Sequence, residues 1–309
     1  MWPTVCPGIV RAPNVLAVGD LHIENFGTWR DAEGRLVWGV NDFDEACYLP
    51  YTNDLVRLAA STLLAGESSQ MHLSSARACE AILAGYTEAL KAGGKPFVLE
   101  ENDSWLRDIA RNSLRDPVQF WKKMEALPAE ETVVPESAIV AIEHGMAGHG
   151  LPYSIRHRVA GLGNLGKPRY VALAGWQGGK IAREAKALVP SASVWAKDTQ
   201  GVAEIYYLAI MDRSIRCRDP FVWLQGHWIV RRLGPDCCRV ELTGLPEESL
   251  EVQLLHAMGW ETANIHHGSK DSIAAIRRDL KKRKPGWLQA AAEAMVAATQ
   301  EDWQAWKAG

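Results

Sequence analysis

Apolar positions fall into two patterns along this chain, and the pattern changes where polar motifs interrupt it. Near the start, Val15-Leu16-Ala17-Val18 runs into Gly19-Asp20, and Leu36-Val37-Trp38-Gly39-Val40 runs into Asn41-Asp42, with a turn at residues 31–34 between them. Short apolar runs bounded by turn residues predict strands, so these two form a hairpin-like unit with polar loops at its ends. The spacing then lengthens to a helical one. Asn53 caps a helix over residues 53–65 that gathers Leu55, Leu58, Ala59 and Leu63 on one face, and a second helix over 75–91 stops at Gly93-Gly94. Residues 102–150 keep a helical pattern broken by Pro117, Pro128 and Pro135, and end in the glycine-containing stretch 145–150, which marks a lobe boundary.

Beyond Tyr153 the pattern turns to strands: Arg158-Val159-Ala160, then Tyr170-Val171-Ala172-Leu173-Ala174, then Lys180-Ile181-Ala182-Arg183. A helix over 199–215 follows, and two more strands at 228–233 and 238–242 flank the turn Gly234-Pro235-Asp236. From Pro246 the chain is helical to its end, with Pro285-Gly286 separating the last two helices. The expected class is therefore α+β with two lobes. Residues 1–150 and 246–309 build a helical lobe, and residues 151–245 form a smaller lobe of antiparallel sheet with a glycine-rich loop and one helix.

Composition narrows the chemistry only a little. Across 309 residues the formal net charge is −3 and the isoelectric point is near 6.3. No global positive field exists to hold nucleic acid or an anionic membrane, so neither is expected as a partner, and phosphate recognition must be local. Six scattered cysteines without a C-x-x-C pair read as reduced thiols. No apolar run is long enough to span a bilayer, and Met1-Trp2-Pro3 lacks the basic start of a signal peptide, so a cytoplasmic protein is expected. Nothing in the sequence sets the oligomeric state.

The candidate chemistry lies in the two polar loops, Gly19-Asp20-Leu21-His22-Ile23-Glu24-Asn25-Phe26-Gly27 and Asn41-Asp42-Phe43-Asp44-Glu45-Ala46. An aspartate followed five residues later by an asparagine, on a loop leaving a strand, places a proton acceptor (Asp20) beside a hard oxygen ligand (Asn25). Asp42 supplies a second such ligand, and Asp44 can share a metal ion or bond loop amides. Mg²⁺-nucleotide chemistry needs this kind of set, because the metal bridges phosphate oxygens while keeping several positions wet. His22 can donate to a substrate phosphate, ligate a transition metal, or pack under the loop. A single histidine without a second soft ligand favours packing. Asp54 suits bracing the loop from the first turn of its helix.

Gly161-Leu162-Gly163-Asn164-Leu165-Gly166 is a G-x-G-x-x-G string between two strand-like runs. Because a strand follows it rather than a helix, it fits a loop folded over phosphates, with Gly161, Gly163, Asn164 and Gly166 as contacts. Such a sheet needs a cation on a following strand. Lys180, Arg183 and Lys186 are the candidates, with Glu204 available to pair with one of them.

These residues resemble the bacterial domain-of-unknown-function family 2252, whose members look like circularly permuted relatives of the protein-kinase and aminoglycoside-phosphotransferase superfamily. Beyond the two loops, the resemblance runs through Asp54-Leu55, Arg57 to Ser61, the glycine string, Arg183-Glu184-Ala185 and the segment 263–266. It implies a catalytic-loop role for Asp20, metal binding by Asn25 and Asp42, ATP and Mg²⁺ as cofactors, and a helix ending at His266 that leads up to the catalytic loop. Where the family has Lys-Glu-Ala on the phosphate-anchoring strand, this chain has Arg183-Glu184-Ala185. The expected function is a kinase-like phosphotransferase acting on a small-molecule acceptor. The alternatives are a non-catalytic nucleotide-binding module of the pseudokinase kind and a metallophosphoesterase.

Overall fold

The computed structural model describes residues 2–68, 71–130, 132–158, 167–196, 204–242 and 245–308. It begins with helix α1 (Trp2–Val5), strand β1 (Asn14–Ala17), a 3-10 turn at Ile23–Asn25, and strands β2 (Phe26–Arg30), β3 (Leu36–Val40) and β4 (Cys47–Pro50). Helices α2 (Tyr51–Ser68) and α3 (Ser75–Ala92), strand β5 (Phe97–Val98), and helices α4 (Ser104–Ser113), α5 (Pro117–Glu125) and α6 (Glu136–His144) come next. The middle of the chain holds β6 (Tyr153–His157), β7 (Arg169–Trp176), β8 (Gly179–Ala187), α7 (Ala192–Trp195), α8 (Tyr207–Arg213), β9 (Val222–Gln225) and β10 (Trp228–Leu233). Helices α9 (Glu248–His266), α10 (Lys270–Lys282) and α11 (Trp287–Ala308) follow. The fold is thus mixed α+β, with small antiparallel sheets and several helices. Among the described residues, no helix is long and apolar enough to cross a membrane.

Local chemistry sets several helix ends, but not the expected one at Asn53: α2 already starts at Tyr51, so Asn53 lies inside its first turn rather than capping it. Ser74 accepts a hydrogen bond from the Arg77 amide at the start of α3, and Gly93 closes it in the left-handed region at φ 88°. Asp116 caps α5 with Pro117 in its first turn. Strand pairing departs from the sequence reading. The runs 15–18 and 36–40 do not pair with each other: β1 pairs with β4, and β2 pairs with β3, so the two polar loops are brought together by two interleaved ladders. The β2–β3 turn is closed by Asp31, whose Oδ1 accepts from the Glu33 and Arg35 amides.

The larger sheet runs β6-β7-β8-β10-β9, antiparallel throughout. Its first strand lies earlier than expected, at Tyr153–His157, while Val159 and Ala160 fall outside the described residues. The expected helix over 199–215 is shorter, at Tyr207–Arg213, with part of the range outside the described residues. Instead of a full strand at 238–242, a single bridge ties Arg239 to Gly27, flanked by the Thr28 amide donating to the Cys238 carbonyl. One face of the sheet packs Ala172, Ala185, Trp228 and Val230 against Ala138, Ala141 and Ile142 of α6. The alternate positions, Glu184, Lys186 and Arg231, face the helical part of the molecule.

The helical core is organised around α9, which is buried on nearly all sides. It crosses α3 at backbone contact. A Cβ on Gly85 would lie 1.9 Å from the His256 carbonyl oxygen, and one on Gly259 would lie 2.0 Å from that of Ile82. No side chain fits at either point, so two glycines on facing helices set the distance between them. Gly259→Ala is expected to destabilise the fold by at least ~2 kcal/mol through overpacking against rigid backbone, read as a lowered midpoint in denaturant titration.

Glu261, also on α9, is buried beneath β3 and receives the Val40 amide at 3.3 Å and the Asn264 side-chain amide at 2.9 Å. Burial pushes its carboxyl up to about 7 from an ordinary value of 4.5. Between those values the folded chain keeps a proton that the unfolded chain has lost, so this group's contribution to stability falls as pH rises through the window. The wild type should lose up to about 3 kcal/mol across it from this source. A Glu261→Gln variant measured in parallel by chemical unfolding should show a flatter profile.

Candidate functional site

The loop after β1 is anchored to the helical core by one carboxylate. Asp54, in the first turn of α2, is fully buried; its Oδ2 accepts from the Val18 amide at 2.7 Å and its Oδ1 from the Gly19 amide at 3.0 Å. The same Oδ2 lies 3.0 Å from His266 Nε2 at the end of α9. An ionised carboxylate only accepts, so Nε2 carries a proton, and in the neutral imidazole Nδ1 is left to accept from Tyr86 Oη at 2.8 Å. Tyr86 in turn stacks on Tyr51. Gly19 sits at φ 83°, and a Cβ there would meet the Glu45 carbonyl oxygen at 2.0 Å, so the first loop lies directly on the second.

One further bond braces the first loop internally, and another ties it to the second. The His22 amide donates to Asn25 Oδ1 at 2.7 Å, and the Asn41 amide donates to the Asn25 carbonyl at 3.0 Å. The Ile23 amide is held by Ser61 Oγ on α2. These contacts aim Asp20, Asn25, Asp42 and Asp44 into one cleft of about 720 Å³, lined on its far side by the charged face of the large sheet.

Each of these aspartates faces a counter-charge, and Asp42 and Asp44 share one. Asp20 is paired by Arg57, which projects from α2, and burial pulls that guanidinium below its usual value. Lys186, almost wholly buried on β8, pairs with Asp44 and lies 3.6 Å from Asp42. Burial works to raise Asp42, but the charges of Lys186 and Arg231 outweigh it and hold the carboxyl below its ordinary value. Burial, then the neighbouring Asp42 charge, push Asp44 up to about 6. His22 lines the same cleft, and its burial lowers its basicity.

Among the described residues, no group of three or more His, Cys, Asp or Glu side chains is arranged to hold a metal ion. The oxygens present still suit one kind of ion. Asp42 is 30% exposed, Asn25 Oδ1 has a second lone pair, and the Lys186 ammonium already occupies a cation position against both aspartates. Mg²⁺, which takes one or two carboxylates and completes its shell with phosphate and water, fits that set.

The expected phosphate cations separate on the sheet. β8 pairs with β7 and β10 in unbroken register, so residues three apart point to opposite faces. Arg183 turns away from the aspartates: its Nε donates to the Gly145 carbonyl at 2.7 Å, and its guanidinium lies over the Phe221 ring. Lys180 lies at the other end of β8 and pairs with Glu125 at the surface. Lys186 alone of the three reaches the two polar loops. Glu204 is exposed and receives the Tyr206 hydroxyl, and no pair between it and these cations occurs among the described residues. Gly161, Gly163, Asn164 and Gly166 lie outside the described residues.

The sequence reading missed two sets of side chains. Arg57 stands against Asp20; the resemblance includes it but gives it no role, and its other sequence signal is its place one helical turn after Asp54. Arg158, Arg169 and Arg231 converge on buried Glu184, and the signal for them is charge inside otherwise apolar strands, as in Trp228–Leu233.

Replacing Asp54 by Asn would put an amide hydrogen against groups that already donate. Asp54→Asn should cost about 3 kcal/mol of stability and release the Val18 and Gly19 amides to faster hydrogen exchange, an outcome readable by mass spectrometry.

Residues 8–120 match a family described as an uncharacterized protein conserved in bacteria, DUF2252. The matched stretch contains both polar loops and helices α2 and α3, and ends before the large sheet begins. No curated protein and no solved structure matches the chain.

Proposed function

We propose that this chain is a Mg²⁺-dependent, ATP-binding phosphotransferase with a circularly permuted kinase-like fold, acting on a small-molecule acceptor. The observation that carries the reading is the meeting of Lys186 with Asp42 and Asp44, across a cleft from Asp20. A phosphoryl-transfer site needs a strand cation for the phosphates, oxygen ligands opposite it, and a carboxylate placed to accept a hydroxyl proton. Two features support the permutation. The cation sits on the third strand of a five-stranded antiparallel sheet, and α9 leads to the Asp20 loop through the His266–Asp54 contact rather than through the chain.

In this reading Lys186 leaves the aspartates for the donor's phosphates, and Asp42 and Asn25 are freed to face the metal. Bound Mg²⁺ would supply charge neutralisation on the phosphate oxygens. Asp20 orients the acceptor hydroxyl and takes its proton, while Arg57 holds Asp20 in place and adds positive charge near the transferred group. Catalysis comes from positioning and electrostatics rather than a covalent intermediate.

A second reading, a nucleotide-binding module without turnover, is favoured by the Asp20–Arg57 pair, since an ion-paired carboxylate is a weaker base. Calorimetry and an acceptor screen separate the two. Mg²⁺ should strengthen ATP binding in the wild type, and this Mg²⁺-dependent gain should be lost in Asp42→Ala. Asp20→Asn should keep binding while turnover falls at least ~100-fold. ATP binding with no transfer to any acceptor would favour the second reading, and no Mg²⁺-dependent binding would sink both.

A further inference from the structure

The charged face of the large sheet holds more positive charge than its own acid balances. Glu184 on β8 is completely buried and is met by three guanidinium groups. Arg231 on β10 grips Oε2 through Nε and Nη2, both at 2.8 Å; Arg169 on β7 reaches Oε1 at 3.2 Å; and Arg158 bonds the same Oε1. One carboxylate against three arginines leaves this wall with an excess of two positive charges. Burying uncompensated charge costs stability, so the arrangement calls for an anion from outside.

Its position says which anion. All three arginines line the cleft that holds Asp42 and Asp44, with side-chain exposures of 20% for Arg158, 7% for Arg169 and 27% for Arg231. Arg158 and Arg169 flank the glycine string in sequence, and the field of Arg231 reaches Asp42. Each guanidinium has five N–H donors and spends one or two on Glu184. Among the described residues, no other acceptor meets them. Planar forks held rigidly by a shared carboxylate suit the tetrahedral oxygens of successive phosphate groups better than a flexible ammonium does. Charge agrees as well. Lys186 with Asp42 and Asp44 sums to one negative charge, so adding a divalent metal to that group and the wall gives about three positive charges, a match for a triphosphate.

We infer that Arg158, Arg169 and Arg231, gathered on Glu184, form a preformed seat for a polyphosphate chain, and that the phosphoryl donor is recognised chiefly through this guanidinium wall. The inference rests on the reading of the cleft as a phosphoryl-transfer site. It goes further in predicting that a di- or triphosphate binds without metal and without a base. Inorganic tripolyphosphate should therefore bind the full chain in EDTA by calorimetry, while adenosine should not. Arg158→Gln, which removes the partner least tied into the sheet and leaves Glu184 two others, should weaken that binding about tenfold or more. Arg231→Gln should do the same, with thermal melting to verify the fold.

Failure of the wild type to bind tripolyphosphate in EDTA overturns the proposal. So does Mg²⁺-ATP binding that is unchanged in folded Arg158→Gln and Arg231→Gln, an outcome that leaves the phosphotransferase reading standing. Arginine-dependent tripolyphosphate binding without phosphoryl transfer to any acceptor has the opposite effect: it sinks the catalytic reading and keeps the seat.

Discussion

Everything placed in the cleft depends on one buried carboxylate. Asp54 takes hydrogen bonds from two consecutive backbone amides of the first loop and from a histidine more than two hundred residues along the chain. Backbone amides at the end of a short strand have no ladder partner of their own, and inside a core they cannot be left unpaired. The acid satisfies them and so decides where Asp20 points. Its own charge is supported by His266, and His266 by Tyr86, so the geometry of the loop is set from deep in the helical core.

The opposite wall works by a different balance. The loops bring carboxylates toward the cleft, whereas the sheet brings a lysine and a set of arginines; each side has an internal ion pair, Asp20–Arg57 and Glu184–Arg231, and Lys186–Asp44 joins the two. Neither wall is neutral by itself. Asp42 and Asp44 sit close enough that one stays ionised while the other is driven toward protonation, and the buried lysine between them, with the charge of Arg231 behind it, offsets their repulsion.

The two loops were legible in the sequence because their signals are local: apolar runs ending in Gly-Asp and Asn-Asp mark strand ends wherever the strands later pair. Their pairing was not legible, since β1 chooses β4 over the nearer run at β3 through contacts that no window of sequence contains. Beyond Pro246 the sequence showed helix in general and only the break at Pro285-Gly286, not the one between α9 and α10, whereas helix α3 announced itself by its span and its closing glycines. The short strands β4, β5 and β9 did not, being too brief for their alternation to register. Of the three cation candidates the sequence offered, the parity of β8 turns Arg183 away from the aspartates, and Lys180, on the same face as Lys186, lies too far along the strand to reach them. The arginine wall stayed hidden because Glu184 draws its partners from separate stretches of chain, each of which reads as an ordinary surface charge.

The backbone crossing of Gly85 on α3 and Gly259 on α9 also fixes an order of events. On the ribosome, the loops bearing Asp20 and Asp42 emerge early, but α9, which closes against α3 and delivers His266 to Asp54, emerges after the whole sheet has been made. Until then the first segment holds a buried-type acid without its histidine and an apolar helix face without its cover. Such a nascent chain is exposed to aggregation and to chaperones. The site therefore cannot assemble piecemeal: its loop geometry is complete only once α9 has been made and locks onto the earlier α3.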